Sequence, residues 1–145
     1  MTEMKLHRIV VVGGGAGGLE LATRLGDTLG RRGRAQVTLV ERARTHLWKP
    51  LLHEFAAGSM DIDHHALPYL AQARWHHFRY QRGSMDGLDR ARRVVLVAPA
   101  FDEDGRELIP RREVPYDTLV MAVGGHRNDK NTPRAREHAL SLDMP

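Results

Sequence analysis

The chain of 145 residues contains no cysteine, and aromatic residues make up only 6% of it. The absence of cysteine excludes disulfides, thiolate zinc sites, iron–sulfur clusters and a redox-active Cys-x-x-Cys pair. No run of about 18 apolar residues is present, so a membrane-spanning helix is not predicted. The apolar run at residues 9–12 is too short for the core of a signal peptide. A cytoplasmic location is therefore expected.

Several signatures of catalysis are also missing. The chain has no Gly-x-Ser-x-Gly elbow, no Walker Lys-Ser/Thr pair after its glycines and no His-Glu-x-x-His motif. Its nine histidines include two adjacent pairs, His64 with His65 and His76 with His77. Neighbouring residues point in different directions on a helix or a strand, so neither pair forms a chelating site. No metal site is predicted.

The residues that are present fit a soluble globular protein, with 41% hydrophobic and 28% charged residues. The net charge of +4 is carried mainly by arginine clusters within residues 31–44, 90–93 and 111–112. Such clusters attract anions, including nucleotides. No basic motif interleaved with aromatic residues occurs, so nucleic acid is not predicted as a partner.

The first 41 residues follow a strand–helix–strand pattern. Residues 6–12 are β-branched and apolar, which predicts a buried strand, and residues 37–40 predict a second one. The segment between them starts with glycines and continues as an amphipathic helix, whose apolar face is Leu19, Ala22, Leu25 and Leu29. Because crossovers of this kind are right-handed, the two strands are expected to be parallel neighbours in one sheet.

The turn between this strand and helix carries the pattern Gly-x-Gly-x-x-Gly at Gly13, Gly15 and Gly18. Gly13 permits the tight turn, Gly15 leaves room for a pyrophosphate, and Gly18 allows close packing of helix and sheet. Glu41 ends the second strand 23 residues after Gly18, where an acid binds ribose hydroxyls. Its charge disfavours a 2′-phosphate, although Arg42 follows directly. The pattern predicts a dinucleotide site and leaves FAD and NAD open.

The rest of the chain does not continue a simple alternation. The predicted order is a loop to residue 49, a helix at 51–57 ended by Gly58, a helix at 64–73, a strand at 76–82, strands at 94–98 and 111–114 separated by a turn at Asp104 and Gly105, and a buried strand at 117–125. Residues 126–145 have no clear periodicity and are expected to form a loop or linker. Paired strands in place of a further helix favour FAD over NAD.

Five segments, GGGAGGLELATRLG, HLWKPLLHE, AAGSMD, YDTLVMAVG and NTP–REHA, together resemble the N-terminal part of type II NADH dehydrogenase, the non-proton-pumping NADH:quinone oxidoreductases. The resemblance covers roughly residues 5–143. The closing YDTLVMAVGG is also similar to a stretch of the glutathione-reductase-like flavoproteins, which have two dinucleotide-binding domains. The resemblance implies an α/β fold: a Rossmann-type FAD/NAD(P)-binding domain with a mostly parallel sheet and a small β-meander. This domain would span residues 1–125, and residues 126–145 would lead to an NADH-binding domain absent from the chain.

The resemblance also implies a set of residues that bind non-covalent FAD. The set comprises Gly13, Gly15, Ala16, Gly17 and Gly18 at the pyrophosphate, Glu41 at the ribose with Arg42 beside it, Lys49, Pro50 and Leu51 on the flavin side, Ser84 and Met85 against the adenine, and Ala122 and Gly124 near the middle of the cofactor. Lys49 can also be read as a surface lysine. No catalytic side chain is nominated, because the flavin carries the redox chemistry.

The activity implied by the family is hydride transfer from NADH to FAD, followed by reduction of a membrane quinone. Family members are about three times as long, so the chain is expected to be incomplete and inactive alone. The full-length protein is expected to lie peripherally on the cytoplasmic face of the inner membrane, through its C-terminal region, and homodimerisation belongs to the same expectation. Two alternatives remain: a nucleotide-binding module without redox activity, and part of an NAD(P)-dependent dehydrogenase. Gly125, Lys130 and Arg134 also depart from the family pattern.

Overall fold

A computed structural model describes residues 5–46 and 67–124. Its helices are α1 (Ala16–Leu25), which continues into a π-helical turn at Gly26–Gly30, and α2 (Tyr69–Trp75). Its strands are β1 (His7–Val12), β2 (Ala35–Glu41), β3 (Thr45–His46), β4 (Leu67–Pro68), β5 (Arg79–Arg82), β6 (Met85–Asp89), β7 (Val94–Val97), β8 (Ala100–Phe101), β9 (Glu107–Ile109), β10 (Arg112–Pro115) and β11 (Thr118–Met121).

The centre of the fold is a four-stranded parallel sheet in the order β11-β1-β2-β5. Val10 of β1 lies between Thr38 of β2 and Leu119 of β11. The β-branched runs of β1 and β2 suit these central positions, since a parallel strand is covered on both faces. Because all four strands run the same way, their carboxyl ends meet at one edge, where the glycine turn begins.

Alternate residues of the sheet pack into two separate cores. Ile9, Val11 and Leu39 face the helices, where they meet the buried residues of α1 and α2. Leu19 and Ala22 are buried there and Leu25 and Leu29 pack against them, which confirms the predicted apolar face of α1. The opposite face of the sheet forms the second core, made of Val10, Val12, Val40, Val95, Val97, Val114 and Tyr116.

The second core is closed by an antiparallel sheet in the order β10-β7-β6. The pairing of β7 with β10 confirms the predicted β-meander. Strand β6 was not predicted, because its sequence MDGLD has a central glycine and two acids, and it is irregular between Met85 and Gly87. The predicted turn at Asp104 and Gly105 is present, but it joins the short strands β8 and β9.

An ion pair ties the start of β11 to β1. The carboxylate of Asp117 accepts hydrogen bonds from the Arg8 guanidinium at 3.1 and 3.2 Å and from the Arg8 backbone amide at 2.8 Å. The backbone amide of Asp117 donates in return to the Arg8 carbonyl at 2.8 Å. These bonds to Arg8 hold the pKa of Asp117 far below its ordinary value.

Some predicted boundaries are wrong. The helix predicted at 64–73 begins only at Tyr69, because Pro68 is extended and restricts the residue before it, and it runs on to Trp75. The strand predicted at 76–82 begins at Arg79, since His77 adopts a left-handed turn with φ 56°. The last strand ends at Met121, opposite the end of β1, instead of reaching residue 125. The predicted helix at 51–57 and residues 126–145 lie outside the described residues.

Candidate functional site

The glycine turn after β1 is held between two neighbouring strands. The Gly13 amide donates to the carbonyl of Val40 in β2 at 2.9 Å, and the Ala122 amide after β11 donates to Val12 at 2.8 Å. Gly13 has a φ of +103°, which side-chain-bearing residues rarely adopt, and a β-carbon there would lie 2.5 Å from the Ala122 carbonyl oxygen. The first glycine of the motif is therefore required by the protein's own backbone.

The other two motif glycines differ sharply in their surroundings. A β-carbon on Gly18 would lie 1.8 Å from the Gly13 carbonyl oxygen, so α1 packs on the turn at a distance that only glycine permits. A β-carbon on Gly15 would meet no atom of residues 5–46 and 67–124 within 4 Å, and the same holds for Gly17. Protein packing thus explains Gly18 but leaves open space beside Gly15.

The N-terminus of α1 opens onto this space. Gly15 is the residue before the helix, no side chain of the described residues caps it, and the first turn contains no acidic residue. The first backbone amide with a partner four residues earlier is that of Leu19, which donates a hydrogen bond to the Gly15 carbonyl at 2.9 Å. The amides of the residues between them have no partner within the helix, as at any helix start. Together with the helix dipole they form a site suited to an anion.

Glu41 lies beside the turn at the end of β2. One carboxylate oxygen accepts a hydrogen bond from the Gly14 amide at 2.6 Å, and the other accepts from the Ala43 amide at 3.1 Å. Glu41 therefore braces the turn itself, a role that the sequence did not indicate. A carboxylate has further lone pairs, so the predicted bonds to ribose hydroxyls remain chemically available.

Beneath the turn, two buried side chains contact the carbonyl of Gly14, and sequence analysis identified neither of them. The Tyr69 hydroxyl donates to the Gly14 carbonyl oxygen at 2.5 Å, and His46 Nδ1 lies 3.1 Å from that oxygen. Tyr69 also stacks on Tyr80, with ring centres 5.4 Å apart. Burial, and then the charge of Glu41, raise the pKa of the Tyr69 hydroxyl, so it keeps its proton. Tyr69 belongs to no local motif, and His46 opens the segment HLWKPLLHE without any pattern that indicates this contact.

The remaining predicted residues fall at the same edge of the sheet where they are described. The Gly83 amide after β5 donates to the Glu41 carbonyl at 3.0 Å, which brings the next two residues, Ser84 and Met85, close to the end of β2. Arg42, Ser84 and Gly124 are exposed, and Met85 and Ala122 are half-buried. Lys49, Pro50 and Leu51 lie outside the described residues. Cofactor contacts for all of these residues stay predictions.

A cavity of about 670 Å³ lies beside Tyr80 and has a positively charged wall. Arg44, Arg82 and Arg112 line it together with apolar residues such as Leu70. Arg112 Nε donates to the side-chain oxygen of Gln81 at 3.0 Å, and its burial lowers the pKa of the guanidinium. The arginines that line the cavity add positive charge near the edge of the sheet where the glycine turn lies.

A parallel sheet, a glycine turn opening onto an uncapped helix and an acid at the end of the next strand together define the Rossmann-type fold of dinucleotide-binding proteins. The predicted α/β fold class is thus confirmed. Residues 7–143 match the family described as pyridine nucleotide-disulphide oxidoreductase, and the chain belongs to this family. Membership identifies an oxidoreductase family of the flavoprotein type.

The relatives confirm the resemblance found in the sequence. The chain is 46% identical over 138 residues to a type II NADH:quinone oxidoreductase of Haemophilus influenzae, covering 95% of this chain and 31% of the relative. It is 29% identical over 124 residues to the type II NADH:quinone oxidoreductase NdhA of Mycobacterium tuberculosis, covering 84% and 23%. Its fold matches that of NDH2 from Plasmodium falciparum with a TM-score of 0.69 at 17% identity, covering 92% of this chain and 25% of the other.

The chain spans at most about a third of the length of these relatives. Among residues 5–46 and 67–124, no helix is both long and apolar enough to cross a bilayer.

Proposed function

We propose that this chain is the N-terminal FAD-binding part of an NADH:quinone oxidoreductase. The observation that carries the proposal is the open space at Gly15, beside the uncapped amides of α1 and within reach of Glu41. A dinucleotide needs a close approach to backbone at its pyrophosphate and an acceptor at its ribose. Both are present, so the residues fit FAD.

The proposed role of these residues is to bind the cofactor and to orient it. The amides at the start of α1 would hold the pyrophosphate, since they have no partner within the helix and are aligned with the helix dipole. Glu41 would accept hydrogen bonds from ribose hydroxyls, and its negative charge would exclude a 2′-phosphate. The further contacts of the proposal are Arg42, Lys49, Pro50, Leu51, Ser84, Met85, Ala122 and Gly124. The flavin, when bound, supplies the chemistry that accepts hydride and passes electrons on.

The substrates follow from the relatives. Type II NADH:quinone oxidoreductase is the printed name of the relatives from Haemophilus influenzae and Mycobacterium tuberculosis, and the NDH2 from Plasmodium falciparum has been solved in complex with NADH. NADH and a quinone are therefore the proposed substrates, with NADH held by a domain outside these residues. Action at the cytoplasmic face of the inner membrane and homodimerisation of the longer protein belong to the same proposal.

The test is the visible absorption spectrum of the purified chain after incubation with FAD and desalting. A retained flavin band of about one FAD per chain is expected. The control is Gly15→Ala, whose β-carbon would enter the open space without meeting an atom of the described residues within 4 Å, and which should emerge colourless yet folded. A cooperatively folded wild-type chain that retains no flavin and binds no ADP would refute the proposal. ADP binding without flavin retention would favour the nucleotide-binding module instead.

A further inference from the structure

We propose that Tyr69 and His46 are positioning residues of the glycine turn, which fix the direction in which the Gly15 amide points. The inference deepens the proposed function and rests on it, because it assigns the residues that prepare the pyrophosphate site. Neither residue is expected to touch the nucleotide. Both would act through the carbonyl group of Gly14.

The first step of the argument is the geometry of one peptide bond. The carbonyl of Gly14 and the amide of Gly15 belong to the same peptide unit, and no cis peptide is present in the described residues. In a trans peptide the C=O and N–H bonds point in opposite directions. Because the Gly14 carbonyl points inward to Tyr69, the Gly15 amide must point outward. At Gly15 itself a β-carbon would meet no atom of the described residues within 4 Å, so the turn is open to a ligand there.

The second step is that Gly14 is held at both its backbone amide and its backbone carbonyl, so the two peptide units that meet there are fixed together. The Gly14 amide donates to Glu41 at 2.6 Å, while the Gly14 carbonyl accepts from Tyr69 at 2.5 Å. The carbonyl can only accept, so His46 at 3.1 Å is assigned the tautomer with its proton on Nδ1. Gly14 is buried, and a β-carbon on it would lie 2.7 Å from the Tyr69 hydroxyl. The tyrosine therefore packs directly against the turn.

The third step is that Tyr69 is itself fixed without any ligand. Its side chain is buried, with the residue only 3% exposed, and its ring stacks on Tyr80 and meets His46 edge-on at 6.0 Å. Its backbone amide donates to the Arg44 carbonyl at 3.0 Å. A donor held this rigidly sets the turn in its binding conformation before the nucleotide arrives, which lowers the entropy cost of binding.

The test compares Tyr69→Phe with Tyr116→Phe in the full chain. Both changes remove one hydroxyl from a buried tyrosine, but Tyr116 lies in the opposite core and makes no side-chain hydrogen bond within the described residues. The first readout is the amide ¹⁵N signal of Gly15 in the ligand-free protein, which responds to hydrogen bonding at the Gly14 carbonyl. The second readout is the dissociation constant for ADP.

Tyr69→Phe should move the Gly15 signal and weaken ADP binding about three- to tenfold, the range of one lost hydrogen bond, while Tyr116→Phe should change neither. Unchanged signal and affinity in Tyr69→Phe would overturn the inference. If Tyr69→Phe does not fold, His46→Ala probes the same carbonyl and should shift the same signal. A wild-type chain that binds neither ADP nor FAD would refute the proposed function alone, because the Gly15 signal still decides the inference.

Discussion

Two glycine-to-alanine substitutions, three residues apart, should have opposite effects. At Gly18 the new β-carbon would lie 1.8 Å from the Gly13 carbonyl oxygen, whereas ordinary contact begins near 3.4 Å. The start of α1 would have to retreat by about 1.6 Å, the difference between these distances. At Gly15 the same β-carbon would meet no atom within 4 Å in the part of the chain that the structure describes. The first substitution should therefore damage the fold and the second only the binding of nucleotide.

The magnitudes follow from the local geometry. Alanine normally stabilises a helix interior by about 1 kcal/mol relative to glycine, but overpacking against backbone costs about 3 kcal/mol or more. Gly18→Ala should thus lower the free energy of unfolding by about 2 kcal/mol, or the melting temperature by about 4–8 °C. At Gly15 the loss of a favoured cap residue, up to about 1 kcal/mol, is offset by the lower entropy of the unfolded chain. Gly15→Ala should leave stability within about 0.5 kcal/mol of wild type.

Thermal unfolding and ADP titration of both variants check this reasoning. Gly15→Ala should have the melting temperature of the wild type. Its affinity for ADP should be lower by about tenfold or more, because a methyl group occupies the proposed path of the pyrophosphate. If Gly15→Ala loses as much stability as Gly18→Ala, the space beside Gly15 is not open. If it binds ADP as tightly as wild type, the nucleotide does not pass over this glycine.

Three further substitutions probe other parts of the fold. Glu41→Gln keeps one acceptor for the two amides of Gly14 and Ala43, so urea unfolding should show a free energy of unfolding that is lower by about 1 kcal/mol. ADP titration should show about tenfold weaker binding. An ADP affinity equal to that of wild type would contradict a ribose contact. Asp117→Asn removes a carboxylate whose pKa is depressed in the folded state by Arg8. The ion pair contributes to the free energy of unfolding above the unfolded-state pKa near 3.8, and this contribution disappears as the pH falls through the lower folded value. Wild type and variant should therefore differ in melting temperature at pH 7 and converge in strong acid. A difference that persists unchanged in acid would exclude the ion pair as its cause. Val97→Ala removes two methyl groups from a fully buried residue between the two sheets, and should cost about 2 kcal/mol in urea unfolding without changing ADP affinity.

The features that the sequence predicted well are those encoded within a few residues. The glycine spacing from Gly13 to Gly18, the β-branched runs of β1 and β2, and the acid at Glu41 each have a local pattern with a physical cause. The pairing of β7 with β10 was also predictable, since β7 is an apolar β-branched run and a turn separates it from the strand-like residues 111–114. Such features place the candidate site at the edge where the carboxyl ends of the parallel strands meet.

The features that escaped prediction depend on residues distant in sequence. Tyr69 reaches the Gly14 carbonyl across 55 positions, and no periodicity marks a tyrosine as a hydrogen-bond donor to a turn. Glu41 was expected to serve a ligand, but only the folded structure shows that it also binds the Gly14 amide. Strand β6 is held by its pairing with β7 despite an unfavourable sequence, so tertiary context outweighs local propensity there.

The position of β1 in the centre of the sheet has a consequence for folding order. One edge of β1 pairs with β2 soon after it in the chain, but its other edge pairs with β11, at residues 118–121. The wall that Gly13 packs against is provided by Ala122. During synthesis from the N-terminus, the glycine turn is therefore made early but reaches this environment only after residues 118–122 have been made. Closing so long a loop is a slow step, and until then the β-branched edge of β1 lacks its partner strand.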